Sequence, residues 1–145
     1  FDAPSRSLCT VKREETSTPL QALILLNDPT FVEASQHLGH QIAAKEELET
    51  GITTVFRSLV GMAPRPQELA LLREVYDSER QVFAQDPSKR EAWLPASLRS
   101  QNKSNSSIEA PGISVPRSGK NLNQLAACAV VASTILNSDA CLVKR

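Results

Sequence analysis

Thr16-Ser17-Thr18-Pro19-Leu20-Gln21-Ala22-Leu23-Ile24-Leu25-Leu26-Asn27-Asp28-Pro29-Thr30-Phe31-Val32-Glu33-Ala34 holds a helix start, an apolar helical run, a break and a second helix start within nineteen residues. Thr18 is suited to an N-cap, Pro19 to the first helical position, and Gln21 at the third position completes a capping-box pattern. Leu20, Leu23, Ile24, Leu25 and Leu26 point in nearly every direction around the helix that follows. A helix apolar all round is normally buried on most sides, so this one is expected at the centre of the core. Pro29 disfavours helical geometry at Asp28 and clashes with the preceding turn, while Asp28 can cap a new helix begun by Pro29. The expected result is a tight corner between two helices.

Beyond the corner, Phe31, Ala34, Ser35, Leu38 and Ile42 share one helical face, with Glu33, His37 and His40 on the other. This second helix is expected to cover the core from outside. A third segment, Thr50 to Leu59, places Ile52, Val55, Phe56 and Leu59 before Gly61, which can supply a left-handed C-terminal cap. Pro64-Arg65-Pro66 resets the direction. From Gln67 to Ala84 the chain is clearly amphipathic, with Leu69, Leu72, Val75, Tyr76, Val82 and Phe83 set against Glu68, Arg73, Glu74, Glu79 and Arg80. Asp86-Pro87 stops it, and a short helix is expected over Ser88 to Leu94 before Pro95.

From Ala96 to Lys120 the composition shifts to Ser, Asn, Pro and Gly with scattered Ile108, Ile113 and Val115. A connection longer than about 12 to 15 residues is unusual inside a compact domain, so this stretch reads as a loop or insertion and as the preferred site of proteolytic cutting. Asn121 is expected to cap a closing helix, Leu122 to Leu136, in which Ala126, Ala129 and Ser133 form a narrow strip that admits another helix closely. No strong strand pattern and no internal repeat occurs. The fold class is all-α, an irregular bundle of about five or six helices with a long Ser/Asn/Pro-rich loop before the last one. The organisation is one helical domain over 1–145, read as the C-terminal fragment of a longer protein: an extended preamble over 1–17, main helices over 18–95, the loop over 96–120 and the closing helix over 121–137.

Composition narrows the function. Sixteen basic residues balance sixteen acidic ones, which removes the electrostatic case for nucleic acid or an anionic membrane. Residues 1–94 hold ten Lys or Arg against fourteen Asp or Glu, and 95–145 hold six against two, an asymmetry best met by mutual attraction of the two parts. No run reaches the roughly 18 apolar residues of a membrane span. Cys9, Cys128 and Cys141 lack C-x-x-C and C-x-x-C-H spacing, so the 145 residues encode neither a zinc knuckle nor a covalent haem site.

The residues that carry a family resemblance are Phe1-Asp2-x-Pro4, Cys9-Thr10-x-x-Arg13, Thr16-x-Thr18-Pro19-Leu20-Gln21-Ala22-Leu23 and Leu26-Asn27-Asp28-Pro29. A second block is Phe56-Arg57-x-Leu59-x-Gly61 with Pro64 and Pro66, and a third runs from Leu125-Ala126-Ala127 through Val131-Ala132 to Leu136-Asn137-x-Asp139. Together they resemble the C-terminal domain of unknown function 1553, found in large cytochrome-c-like proteins of planctomycete bacteria. The sequence departs from that pattern at Cys128, over Ser138 to Cys141, and in the Asn- and Ser-rich stretch from Leu98 to Ser107. The resemblance implies an exported, extracytoplasmic parent with upstream domains as partners and haem c in one of them. It implies no established activity.

Candidate chemistry is sparse. The preamble gathers Asp2, Arg6, Cys9, Thr10, Arg13 and Glu14 ahead of the first helix, where an Arg fork can meet carboxylate or phosphate and an acid can be its partner or a base. Asp28 at the helix break is a further carboxylate that could face a cleft. The competing reading is that these side chains pin a non-helical segment to the core. Cys9 near Arg6 and Arg13 could be an activated thiol, although a free Cys is more often a small buried residue. Glu33, His37 and His40 have spacing that permits, without demanding, a shared metal. No Ser-His-Asp or paired-carboxylate pattern is evident. The expected role is that of a non-catalytic module for packing or partner binding. The alternative is an enzyme site, polysaccharide-directed in one form of this reading, to which the preamble contributes and which upstream domains complete.

Overall fold

The computed structural model describes residues 19–95 and 119–142. The described chain is an irregular all-α bundle, as the periodicity implied. Its helices are α1 (Pro19–Asn27), α2 (Pro29–Ala43), α3 (Leu48–Val60), α4 (Pro66–Gln85), α5 (Pro87–Ala92), α6 (Gly119–Leu136) and α7 (Asp139–Leu142).

Prolines and aspartates set several of the boundaries. Pro29, Pro66 and Pro87 each open a helix, where the missing amide hydrogen costs nothing. Asp28 is the single non-helical residue between α1 and α2, with φ −66° and ψ 130°, and its carboxylate accepts from the Thr30 amide at 2.8 Å. Asp86 performs the same service for α5, accepting from the Ser88 amide at 3.1 Å. Glu68 accepts from the Arg65 amide at 2.7 Å at the start of α4. Gly61 ends α3 in the left-handed region at φ 87°, as its position after Val60 requires.

The centre of the bundle is α6. Every residue from Leu125 to Ile135 is buried except Val130 and Thr134. It packs chiefly on α2 and α4, and also on α3 and α5, while α1 packs on α2. The alanines that crowd α6 make this possible, because a helix with short side chains lets neighbours approach on several sides. A Cβ added at Gly39 of α2 would stand 2.5 Å from the Ala129 backbone nitrogen, so the two backbones are nearly in contact there. A second close approach binds α2 to α3, where a Cβ at Gly51 would stand 2.6 Å from the Ile42 carbonyl oxygen. Around these contacts Ile42, Ile52, Val55, Phe56, Leu72, Tyr76 and Phe83 complete the core.

Three expectations are corrected. The apolar first helix is not the core centre: among its described side chains Leu25 alone is buried, at 4 % exposure, while Leu20, Leu23, Ile24 and Leu26 are 64, 57, 41 and 50 % exposed. Nine residues lack the length to hold neighbours on every side, and the role falls to the eighteen-residue α6. Correspondingly, α2 is an internal partner of α6 instead of an outer cover. Its buried stripe runs through Ser35, Gln36, Gly39 and Ile42, leaving Phe31, Ala34 and Leu38 half-buried at its margins. Finally, the closing helix begins at Gly119, so Asn121 lies within it instead of capping it, and a last turn follows at Asp139–Leu142.

Candidate functional site

The polar preamble, with Asp2, Arg6, Cys9, Thr10, Arg13 and Glu14, lies outside the described residues, as do Thr18 and most of the 96–120 loop. Of the proposed cluster, Asp28 is described. Its carboxylate is spent on the Thr30 amide, and the neighbouring Asn27 donates from Nδ2 to the Leu23 carbonyl at 2.8 Å. Both side chains thus close the α1–α2 corner, the helix-break chemistry that their types favour.

On α2, Glu33 and His37 are exposed and His40 is half-buried. Among the described residues no three His, Cys, Asp or Glu side chains come together in a way that could hold a metal ion. Two other carboxylates support the helices. Glu47 accepts from the Thr50 hydroxyl at 3.1 Å. Glu49 meets Arg73 at 2.6 Å in an exposed pair joining α3 to α4, a contact of at most about 1 kcal/mol in such a setting.

Two polar contacts, one buried and one half-buried, were missed by periodicity. Gln36 donates from Nε2 to the Leu94 carbonyl at 3.4 Å, tying the turn after α5 to α2. Arg90 donates from Nη1 to Asn123 Oδ1 at 2.8 Å, tying α5 to the start of α6, while its buried Nε has no hydrogen-bond partner among the described residues. The sequence signal for the first was weak but present: Gln36 stands one position beyond Ser35 of the assigned stripe. Nothing in the spacing of Arg90 and Asn123 could have paired them across 33 residues.

The described thiols are poor nucleophiles. Burial pushes Cys128 from 9.0 up to about 12, and it also raises Cys141. A neutral thiol packed among alanines at the centre of α6 is a core residue. Burial likewise raises the Tyr76 phenol, with the nearby Cys128 acting in the same direction and Arg80 opposing it from 6.0 Å above the ring. Beside the singly exposed Met62 and Leu71, the described surface carries a group of exposed apolar side chains on the outer side of α1. There Leu20, Leu23 and Ile24 stand at i, i+3 and i+4, a continuous ridge on the side away from buried Leu25.

Residues 1–76 match the family PSD1, described as a protein of unknown function (DUF1553). The matched part is just over half of the 145 residues. The chain belongs to the DUF1553 family. Neither a curated protein nor a solved structure shows a match. The DUF1553 match takes in the preamble, the α1–α2 corner, α3 and α4 as far as Tyr76, so the apolar ridge lies inside the family's shared stretch. The central helix α6 lies beyond it.

Proposed function

We propose that this chain is a non-catalytic helical module that packs against other parts of its own polypeptide through the ridge of α1. The parent is an exported, planctomycete-type multidomain protein with a cytochrome-c-like module upstream, a reading supported by the sequence resemblance described above. Any haem c belongs to that upstream part, because the 145 residues contain no C-x-x-C-H. The observation that carries the packing role is the exposure of Leu20, Leu23, Ile24 and Leu26 on one uncharged helix. Their combined exposure equals about two whole leucines, on the order of 400 Å², whereas a stable complex between separate proteins uses about 800 Å² on each side. A face of that size serves a covalently tethered partner, whose high effective concentration compensates for the small area.

The test uses the longer natural polypeptide with a protease site placed before residue 1. After cleavage the wild-type module is expected to remain with the remainder, and a Leu20→Asn, Leu23→Asn, Ile24→Asn variant is expected to separate from it while keeping its helical circular dichroism. Separation of the wild type, or retention of the variant, would contradict the proposal. The module alone is expected to show no hydrolase or redox turnover, and measurable turnover would favour an enzymatic role.

A further inference from the structure

We infer that residues 86–94 form a strap that undocks from the bundle as a unit while α2, α3, α4 and α6 stay folded. The strap turns on Asp86, the single extended residue between α4 and α5, at φ −128° and ψ 91°. It carries α5, of whose six residues none is buried, and it ends at Leu94, which is 2 % exposed. A helix of that length is marginal by itself, well below the roughly 12 to 15 residues at which isolated helices begin to hold in water. Docking on the core is therefore what keeps the strap in place.

That docking is thin. Leu94 enters the core, and Trp93 packs half-buried against it. The hydrogen bond from Gln36 Nε2 to the Leu94 carbonyl is 3.4 Å long, beyond the usual upper end of about 3.2 Å. Arg90 reaches Asn123 Oδ1 at 2.8 Å, but its buried Nε has no partner among the described residues, so docking takes that N–H out of water without replacing the hydrogen bond lost. Undocking returns it to water. Asp86 accepts from the Ser88 amide at 3.1 Å and lies 3.8 Å from Lys89; both contacts stay inside the strap and do not hold it to the core. The close approach of α2 and α6 at Gly39 and Ala129 involves no residue of the strap. Opening therefore bares the seats of Leu94 and Arg90, at Gln36 of α2 and Asn123 of α6, and leaves the two helices paired.

Amide hydrogen exchange on the 145-residue chain, under conditions where the rate follows the opening equilibrium, tests the strap. The probes are the amides of Trp93 and Leu94, which donate to the Arg90 and Glu91 carbonyls at 3.0 and 3.3 Å, and the amide of Val131 in α6. Trp93 and Leu94 are expected to exchange faster than Val131. Ile135→Ala weakens the core that stays folded when the strap opens, so it is expected to speed Val131 and to leave Trp93 and Leu94 unchanged. Asn123→Ala removes the seat of Arg90 and is expected to speed Trp93 and Leu94 together by about tenfold, the worth of one hydrogen bond to a charged group. If Ile135→Ala fails to fold, low urea applied to the wild type takes its place. Opening the strap exposes little surface, so Trp93 and Leu94 should respond weakly to urea and Val131 steeply. Equal acceleration of all three amides by Ile135→Ala or by urea overturns the inference, since the strap would then open only with the whole molecule. So do rates at Trp93 and Leu94 that Asn123→Ala leaves unchanged, since those amides would then fray without undocking.

Discussion

Gly39 stands where α2 and α6 come closest, and a methyl group there would meet the backbone of Ala129, which cannot swing aside as a flexible side chain could. Alanine gains about 1 kcal/mol of helix propensity over glycine, but overpacking against a fixed neighbour costs about 1 to 3 kcal/mol or more. Gly39→Ala is therefore expected to lower the urea midpoint despite its better propensity, and an unchanged or raised midpoint would show that the helices are further apart. Cys128 makes a second, pH-dependent statement. Burial raises the folded-state pKa from 9.0 to about 12, so the folded form keeps its proton while the unfolded chain loses it. The stabilisation is complete below pH 9.0 and is lost as pH rises towards 12, by up to about 1.4 kcal/mol per pH unit. The raised pKa values of Tyr76 and Cys141 act in the same direction. Denaturant melts across that window should show a flatter decline for Cys128→Ala than for the wild type, and parallel declines would place the thiol in contact with solvent.

The ordering of elements follows from side-chain size and helix length as much as from hydrophobicity. Ile135 is 1 % exposed on α6, whereas Leu71 is 58 % exposed on α4. Ile135→Ala is expected to cost about 2 to 5 kcal/mol and Leu71→Ala to stay within about 0.5 kcal/mol; equal denaturation midpoints would refute the assignment of α6 as the core. Most helices were legible beforehand because proline, aspartate and glycine act locally: Asp28, Pro29 and Gly61 serve as their types dictate. Which helix is central was not legible. Both α1 and α6 are apolar all round, and the deciding difference, a long run of Ala and Cys that admits neighbours against a short run of Leu that does not, is a property of packing between distant segments. The same limit applies to the candidate site. Asp28 could be read as a cap from its neighbours alone, but the Arg90–Asn123 and Gln36–Leu94 contacts depend on how α2, α5 and α6 meet.

At the scale of the molecule, α6 is joined to the rest of the core through space instead of along the chain. From the Ser/Asn/Pro-rich composition between Ser97 and Lys120, limited proteolysis is expected to cut there first. Because α6 packs on α2, α3, α4 and α5, the two fragments are expected to elute together after cutting, and their separation would mean that α6 is weakly held. The module so organised buries Leu25 of α1 and exposes Leu20, Leu23, Ile24 and Leu26, the ridge proposed above for a tethered partner. Native-state hydrogen exchange tests this arrangement most directly. The amides of Ala126 to Ile135 should exchange most slowly, at the free energy of global unfolding, while those of Leu23 to Leu26 exchange through smaller openings. The contrary result, with α1 amides as slow as or slower than those of α6, would return the apolar N-terminal helix to the centre of the core and contradict the account.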